Sequence, residues 1–433
     1  MNYFVKPLHK LHGEMYPPGD KSISHRLAIL GALATGDTII GNYCPGQDFQ
    51  STLDCLSDLG VESRMINDDV IIRGRGLFGL RKPNKVLYAG NSGTTIRLLS
   101  GILAAQSFTS TITGDDSLIQ RPMKRIIDPL TLMGAQIQAR NNNYPPLSIR
   151  GSSLKPINYI LPVASAQVKS ALLLAALLIQ GTTRICDPFN SRNHTENLLP
   201  YFNADFSYEQ NWLAVNGNCP LRGIKYTVPG DFSSAAFFIA AAIMVPGSSM
   251  IIRNVGLNPT RTGLLEVLAK MNAHFTITNE RSVGNEELGD LHVVHSALQP
   301  ITIAKDLIPA IIDELPLIAV LASQADGLTI VKDAKELRHK ETDRIKAMVT
   351  NLTQVGIKIN ELNDGFTIKG PQKIIGGTAH SFGDHRIAMS MAIAGLASKN
   401  GVLINDTDCI SISYPQFFDT LDFIGCQALS IHR

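Results

Sequence analysis

Six times in this chain a short loop rich in Gly, Ser, Asp or Thr leads into a helix-forming stretch that is apolar on nearly every side, followed by a glycine turn and a β-branched strand. The copies recur at spacings of about 65 to 80 residues, as a repeated supersecondary unit would. The first runs from Gly19 through Leu27-Ala28-Ile29-Leu30 to Gly36 and Thr38-Ile39-Ile40, the second from Gly90-Asn91-Ser92-Gly93-Thr94-Thr95 to Ser110-Thr111-Ile112-Thr113. The others open at Ala164-Ser165-Ala166-Gln167, Gly230-Asp231-Phe232-Ser233, Asp313-Glu314-Leu315-Pro316 and Gly383-Asp384-His385-Arg386. A helix without a polar stripe needs other structure around it. These helices therefore belong at the centre of a domain, wrapped by sheets, with their N-termini at one end. A run of independent β-α-β units in one open sheet is the alternative.

More amphipathic helices are expected between the central ones, over 49–59, 123–133, 261–271 and 344–355, so each copy reads as a β-α-β-α-β-β unit. The fold class is α/β, and 433 residues are too many for one ordinary core. Six copies divide into three and three. The third ends near Cys219-Pro220 and the fourth opens after Val228-Pro229-Gly230, which puts one domain at 18–228, a second from 229 to 433 and a hinge near 226–230. Residues 1–17 fit either half.

A formal charge of +2, from 39 basic and 37 acidic residues, argues against a surface that coats nucleic acid. The apolar runs at 171–179 and 235–245 fall short of the roughly 18 residues of a membrane span. The N-terminus has no signal-peptide pattern, and the six cysteines are scattered without metal-ligand spacing, as in a reducing, cytoplasmic setting. Any strong positive field is therefore local. Collected from the helix-start loops and their sequels, the polar residues are Lys21, Ser22, Arg26, Arg97, Arg121, Lys124, Ser165, Gln167, Lys169, Arg192, Asp313, Lys340, Glu341, Arg344, His385 and Arg386. Cations predominate in this set, pointing to a cleft between the domains for a polyanionic small molecule.

Single motifs leave alternatives open. Pro18-Gly19-Asp20-Lys21-Ser22-Ile23-Ser24-His25-Arg26 is either an anion-binding helix start or a plain capped one, with Asp20 or Ser22 as the cap. The loop at Gly90 lacks the Gly-Lys-Ser/Thr ending of a P-loop. Asp313-Glu314 suits a helix cap as well as catalysis, Arg338-His339-Lys340-Glu341-Thr342-Asp343-Arg344 suits a solvated charge run, and His385 suits a structural role.

Taken in order, these stretches resemble the enolpyruvyl transferases over essentially the whole chain, and within them the EPSP synthase family. Asn258-Pro259-Thr260-Arg261-Thr262-Gly263 and Arg121-Pro122-Met123 add to the match. The resemblance implies a two-domain inside-out α/β barrel of three β-α-β-α-β-β units per domain, with 1–17 joining 229–433. It also implies transfer of the enolpyruvyl group from phosphoenolpyruvate to the 5-hydroxyl of shikimate 3-phosphate, inhibition by glyphosate, no cofactor or metal, and a monomer. Carried over residue by residue, shikimate 3-phosphate falls to Lys21, Ser22, Arg26, Ser165, Gln167, Arg192, Asp313 and Lys340. Phosphoenolpyruvate falls to Lys21, Gly93, Arg121, Gln167, Arg344, His385 and Arg386, and proton transfers to Asp313, Glu341 and Lys21. Ile412 stands where part of the family has a lysine, and Asp20 is left without a role. Two rivals remain: a UDP-N-acetylglucosamine enolpyruvyl transferase, which would carry Lys-Asn at Lys21-Ser22 and a loop cysteine that 114–123 lacks, and a non-catalytic anion-binding relative.

Overall fold

The structure, a computed structural model, describes residues 1–210 and 212–431. The chain forms two compact units, one of 19–228 with 283–286, the other of 1–18, 229–282 and the residues from 287 on. The six apolar stretches are the helices α1 (Lys21–Leu33), α2 (Gly93–Leu103), α3 (Ala166–Ala176), α4 (Phe232–Met244), α5 (Leu315–Ala322) and α6 (His385–Leu396). Every residue of α4 and of α5 is buried. Each fully buried Phe, Ile or Leu contributes roughly 1.5–3 kcal/mol, so these helices anchor the core of their unit.

The polar loop before each helix has a local reason. Asp20, Ser92, Ser165, Asp231 and Asp384 each accept a backbone N–H of the following first turn, and only Glu314, at the head of α5, makes no such capping bond. Of the two caps offered by the sequence for α1, Asp20 is the one used, accepting from Ile23 at 2.9 Å. A cap at a buried helix end replaces the water that its free N–H groups would otherwise need.

Among the described residues six four-stranded sheets of one design lie around the helices, with one further two-stranded pair. In the second, Leu87–Tyr88 runs parallel to Thr109–Thr113, which pairs antiparallel with Tyr144–Arg150, which pairs antiparallel with Gln136–Arg140. The others repeat that order, and three complete it with a strand from elsewhere in the chain. Lys225–Thr227 joins Asp37–Gly41 in the first sheet, His12–Met15 joins Ser249–Gly256 in the fourth, and Asn2–Val5 enters the sixth between Val402–Asn405 and Ala428–Ile431. Inward-facing residues alternate with outward ones: in Thr109–Thr113 Ser110 and Ile112 are buried while Thr109, Thr111 and Thr113 are more open, so the sheet lays one face on the helices. Among the described residues the sheets stay separate, and the class is mixed α/β.

The second helices are Gln47–Asp58, Lys124–Leu132, Gly263–Lys270 and Arg344–Gln354. The third starts two residues later than the pattern predicts, which leaves Arg261 in a turn closed by its own N–H on the Asn258 carbonyl. In the third and sixth copies the equivalent helices are short, His194–Leu198 and Phe417–Phe423, too brief for periodicity to reveal.

Helices α2 and α3 pack so closely that a Cβ on Gly101 would lie 2.1 Å from the Ala171 carbonyl oxygen. Backbone cannot yield there as a flexible side chain can. Gly101→Ala is expected to lower unfolding stability by about 1–3 kcal/mol, measured by urea titration; an unchanged midpoint would mean that the two helices separate freely.

Candidate active site

Each unit gathers its helix N-termini into one polar cluster. In the 19–228 unit, Lys21 pairs with Asp48 at 2.9 Å, an acid at the start of Gln47–Asp58 that sequence reasoning missed. Arg97 gives a hydrogen bond to Gln167 Oε1 at 2.7 Å, and the Gln167 amide donates to Thr94 at 3.1 Å, tying α2 to α3. Arg121 is held by the Asn91 carbonyl at 3.2 Å, Asn91 Oδ1 at 2.6 Å and Ser117 at 3.0 Å. Gly93 opens α2 directly beneath these cations: a Cβ there would stand 2.7 Å from Arg97 Nη1 and 3.6 Å from Arg121 Nη1.

Arg26 points inward. It is 3% exposed and donates to Thr195 at 2.7 Å, Ser170 at 2.7 Å and the Ser22 carbonyl at 2.9 Å. Burial pulls its pKa down to about 10 against the raising influence of Glu196 and Asp20, so it stays charged at neutral pH. Ser165 is buried as the α3 cap, accepting from Val168 at 3.4 Å, and half-buried Ser22 lies in the first turn of α1. Arg192, half-buried ahead of His194–Leu198, adds repulsion at Arg26. Beside them sits Lys169, 2% exposed, whose partners Asp187 and Glu196, each at 2.7 Å, were missed in the sequence.

In the other unit the centre is Asp313. Lys340 and Arg344 each approach it to 3.4 Å, Arg261 and Arg386 each to 3.9 Å. Arg344 is fully buried, bonded to Asp384 at 2.7 Å and to Glu341 at 2.6 Å. Burial lowers its pKa, but Asp384, Glu341 and Asp313 together more than reverse that, so the guanidinium is charged at any ordinary pH. The run 338–344 is therefore divided rather than solvated: Arg338 faces Asp343 and Glu361, while Lys340 and Arg344 turn to Asp313 and Glu341 pairs with Arg344. His385 is buried at the start of α6.

Glu314, buried and unnoticed in the sequence beyond a capping role, accepts from Ser233 and from Arg386 at 3.4 Å. Arg261 donates to Ser233 at 2.7 Å and to Asp231 at 3.2 Å. The N-termini of α4, α5 and α6 are joined through these bonds. The surplus of cations read from the sequence is largely offset here, because Asp231, Glu314 and Asp384 supply the missing negative charge. Ile412 ends the short 3₁₀ turn Thr407–Ile412 and brings no cation.

Helix-centred units with cationic, carboxylate-tuned N-termini have the fold of the enolpyruvyl transferases: the enolpyruvyl transferase NikO from Streptomyces tendae superposes with a TM-score of 0.79 at 14% identity, covering 99% of this chain and 98% of that one. A model for the EPSP synthase (3-phosphoshikimate 1-carboxyvinyltransferase) family matches residues 5–421, and the chain belongs to that family. It is 49% identical to the 3-phosphoshikimate 1-carboxyvinyltransferase of Petrotoga mobilis, over 98% of this chain and 99% of that protein. The Bacillus subtilis 3-phosphoshikimate 1-carboxyvinyltransferase is 48% identical over 95% and 97%. EPSP synthase from Acinetobacter baumannii superposes with a TM-score of 0.88 at 41% identity, both chains covered in full.

Lys169 gives a stability test. Burial raises the Asp187 pKa, but hydrogen bonds from Lys169 and Ser191 outweigh it and leave the carboxyl below its ordinary value. A depressed acid stabilises fully above its unfolded pKa of about 3.9 and loses that contribution as pH falls through the folded value. Lys169→Met, which strands two buried carboxylates, should cost about 3–5 kcal/mol at pH 7. In urea titrations the gap to the parent protein should shrink below about pH 4. A gap that does not change with pH would assign the loss to packing.

Proposed function

We propose that the protein transfers the enolpyruvyl group of phosphoenolpyruvate to the 5-hydroxyl of shikimate 3-phosphate, releasing phosphate, in the route to chorismate and the aromatic amino acids. The observation that carries the site assignment is Asp313, a carboxylate with four cations within 4 Å. Shikimate 3-phosphate is bound by Lys21, Ser22, Ser165, Gln167, Arg192 and Lys340, and by Arg26 if it exchanges one of its internal bonds. Phosphoenolpyruvate is bound by Lys21, Arg121, Gln167, Arg344, His385, Arg386 and the backbone at Gly93. Both sets serve the same pair of substrates.

The reaction is an addition followed by an elimination. Carbon 3 of phosphoenolpyruvate takes a proton, carbon 2 becomes electron-poor, and the 5-oxygen bonds to it as Asp313 removes the hydroxyl proton. In the second half carbon 3 gives up a proton, the carbon–oxygen bond to phosphate breaks, and the double bond returns. Glu341 and Lys21 carry the protons at carbon 3 and the leaving group. Phosphate and carboxylate groups arriving on Arg344 and Arg386 compete for the cations that surround Asp313 and leave its carboxylate able to take the hydroxyl proton. A close ion pair at an effective dielectric near 20 is worth on the order of 4 kcal/mol before desolvation, enough to redistribute the cations.

Glyphosate occupies the phosphoenolpyruvate site in this reading, and the protein works as a cytoplasmic monomer. No helix among the described residues is long and apolar enough to cross a membrane.

Phosphate release from phosphoenolpyruvate should require shikimate 3-phosphate and should not occur with UDP-N-acetylglucosamine; no release with either acceptor overturns the assignment. Asp313→Asn should lower kcat by about 10²–10⁴-fold with substrate binding kept within a few fold, since general-base removal acts on the transition state. Loss of binding alone would make Asp313 a clamp. Gly93→Ala should push Arg97 aside, raising the glyphosate concentration for half-inhibition and the KM for phosphoenolpyruvate together; an unchanged inhibition curve would remove Gly93 from the site.

A further inference from the structure

Behind the polar cluster of the 19–228 unit runs a buried relay that the reaction as written does not use. His25, fully buried on α1, places Nδ1 2.7 Å from Thr52 Oγ1. Thr52, on Gln47–Asp58, lies 2.6 Å from Thr95 Oγ1. Thr95, in the first turn of α2, donates to Ser92 Oγ at 2.8 Å and shares the bond with the Asp48 carbonyl at 3.5 Å. The His25 ring stands edge-on to Phe49 with centroids 5.9 Å apart, and its Nε2 has no hydrogen-bond partner.

Counting protons gives the relay a direction. A hydroxyl has one proton to give. Thr95 gives its proton to Ser92 Oγ, with the Asp48 carbonyl as a second, longer acceptor, so Thr95 accepts from Thr52. The Thr52 proton is then used, and Thr52 accepts from His25. His25 therefore carries its proton on Nδ1, with Nε2 buried and unbonded. Burial, with Lys21 and Arg26 close by, holds the imidazole pKa well below its usual value against a smaller raising effect of Asp20, so the ring is neutral.

We propose that His25, Thr52 and Thr95 are positioning residues that set the Ser92-Gly93 turn against Lys21 and Asp48 through this one-way relay. The three elements it joins are those that carry these groups: α1 carries Lys21, Gln47–Asp58 carries Asp48, and Gly93 opens α2. Apolar packing alone would allow these helices to slide by fractions of an ångström. Directed bonds in a dry interior specify one register, because each leaves a costly unpaired group when broken. The relay touches no substrate; its effect on turnover rests on the phosphoenolpyruvate-site reading given above.

Thr52→Val removes both bonds with little change of shape. It is expected to raise the KM for phosphoenolpyruvate about tenfold with kcat changed less than about threefold, the size of one or two lost buried hydrogen bonds. Thr52→Ser should restore the parent value. A lowered melting temperature with unchanged KM would reduce the relay to a packing feature and overturn the proposal. Nitrogen-15 NMR of the ring, recorded on the intact protein without substrate, is the second test. A proton on Nδ1 and no titration between about pH 5 and 8 are expected; a proton on Nε2 or a titrating ring overturns the proposal even if Thr52→Val fails to fold. A parent protein that releases no phosphate would refute the reaction while leaving this ring measurement able to decide on the relay.

Discussion

A helix buried on all sides can meet the outside only at its ends, and the chemistry of this protein follows from that restriction. Beyond the first turn of α4 and along α5, every side chain is spent on the core. Reactive groups are left to the first turn and the loop before it, where free backbone N–H groups already favour negative charge. Capping residues, cations and carboxylates compete for the same few positions. Asp384 shows the compromise, since one side chain caps α6 through the Arg386 N–H and also holds the buried Arg344.

The second governing effect is the cost of leaving charge unpaired where water is scarce. Arg344, Lys169 and Arg261 are nearly fully buried, and each has carboxylates at short range. Arg97 and Arg121 also donate to neutral amides, those of Gln167 and Asn91.

Residue types that carry charge on helix-start loops could be read from the chain, and so could their order. Their partners could not. Asp48, Asp187, Glu196 and Glu314 have no distinctive spacing, and each acquires meaning only from a cation that is distant in sequence, as Lys21 is from Asp48 and Arg386 from Glu314. His25 and Thr52 lay inside stretches that read simply as helix, and nothing in one-dimensional periodicity says that two buried polar groups will face each other. Arg26 illustrates the converse: the resemblance assigns it to a substrate, and in the fold its guanidinium turns inward to Thr195 and Ser170.

Local chemistry, repeated, was enough to settle the α/β class, the six central helices and their polar starts, because burial on every side and capping are properties of contiguous residues. Tertiary structure alone decided which strands complete the first, fourth and sixth sheets. Lys225–Thr227, His12–Met15 and Asn2–Val5 are short, and each satisfies its backbone against a partner far along the chain. It also decided the ion pairs. A hydrogen-bonded edge and a neutralised charge are both satisfied across space rather than along the chain, so their physical requirement is local while their solution is not.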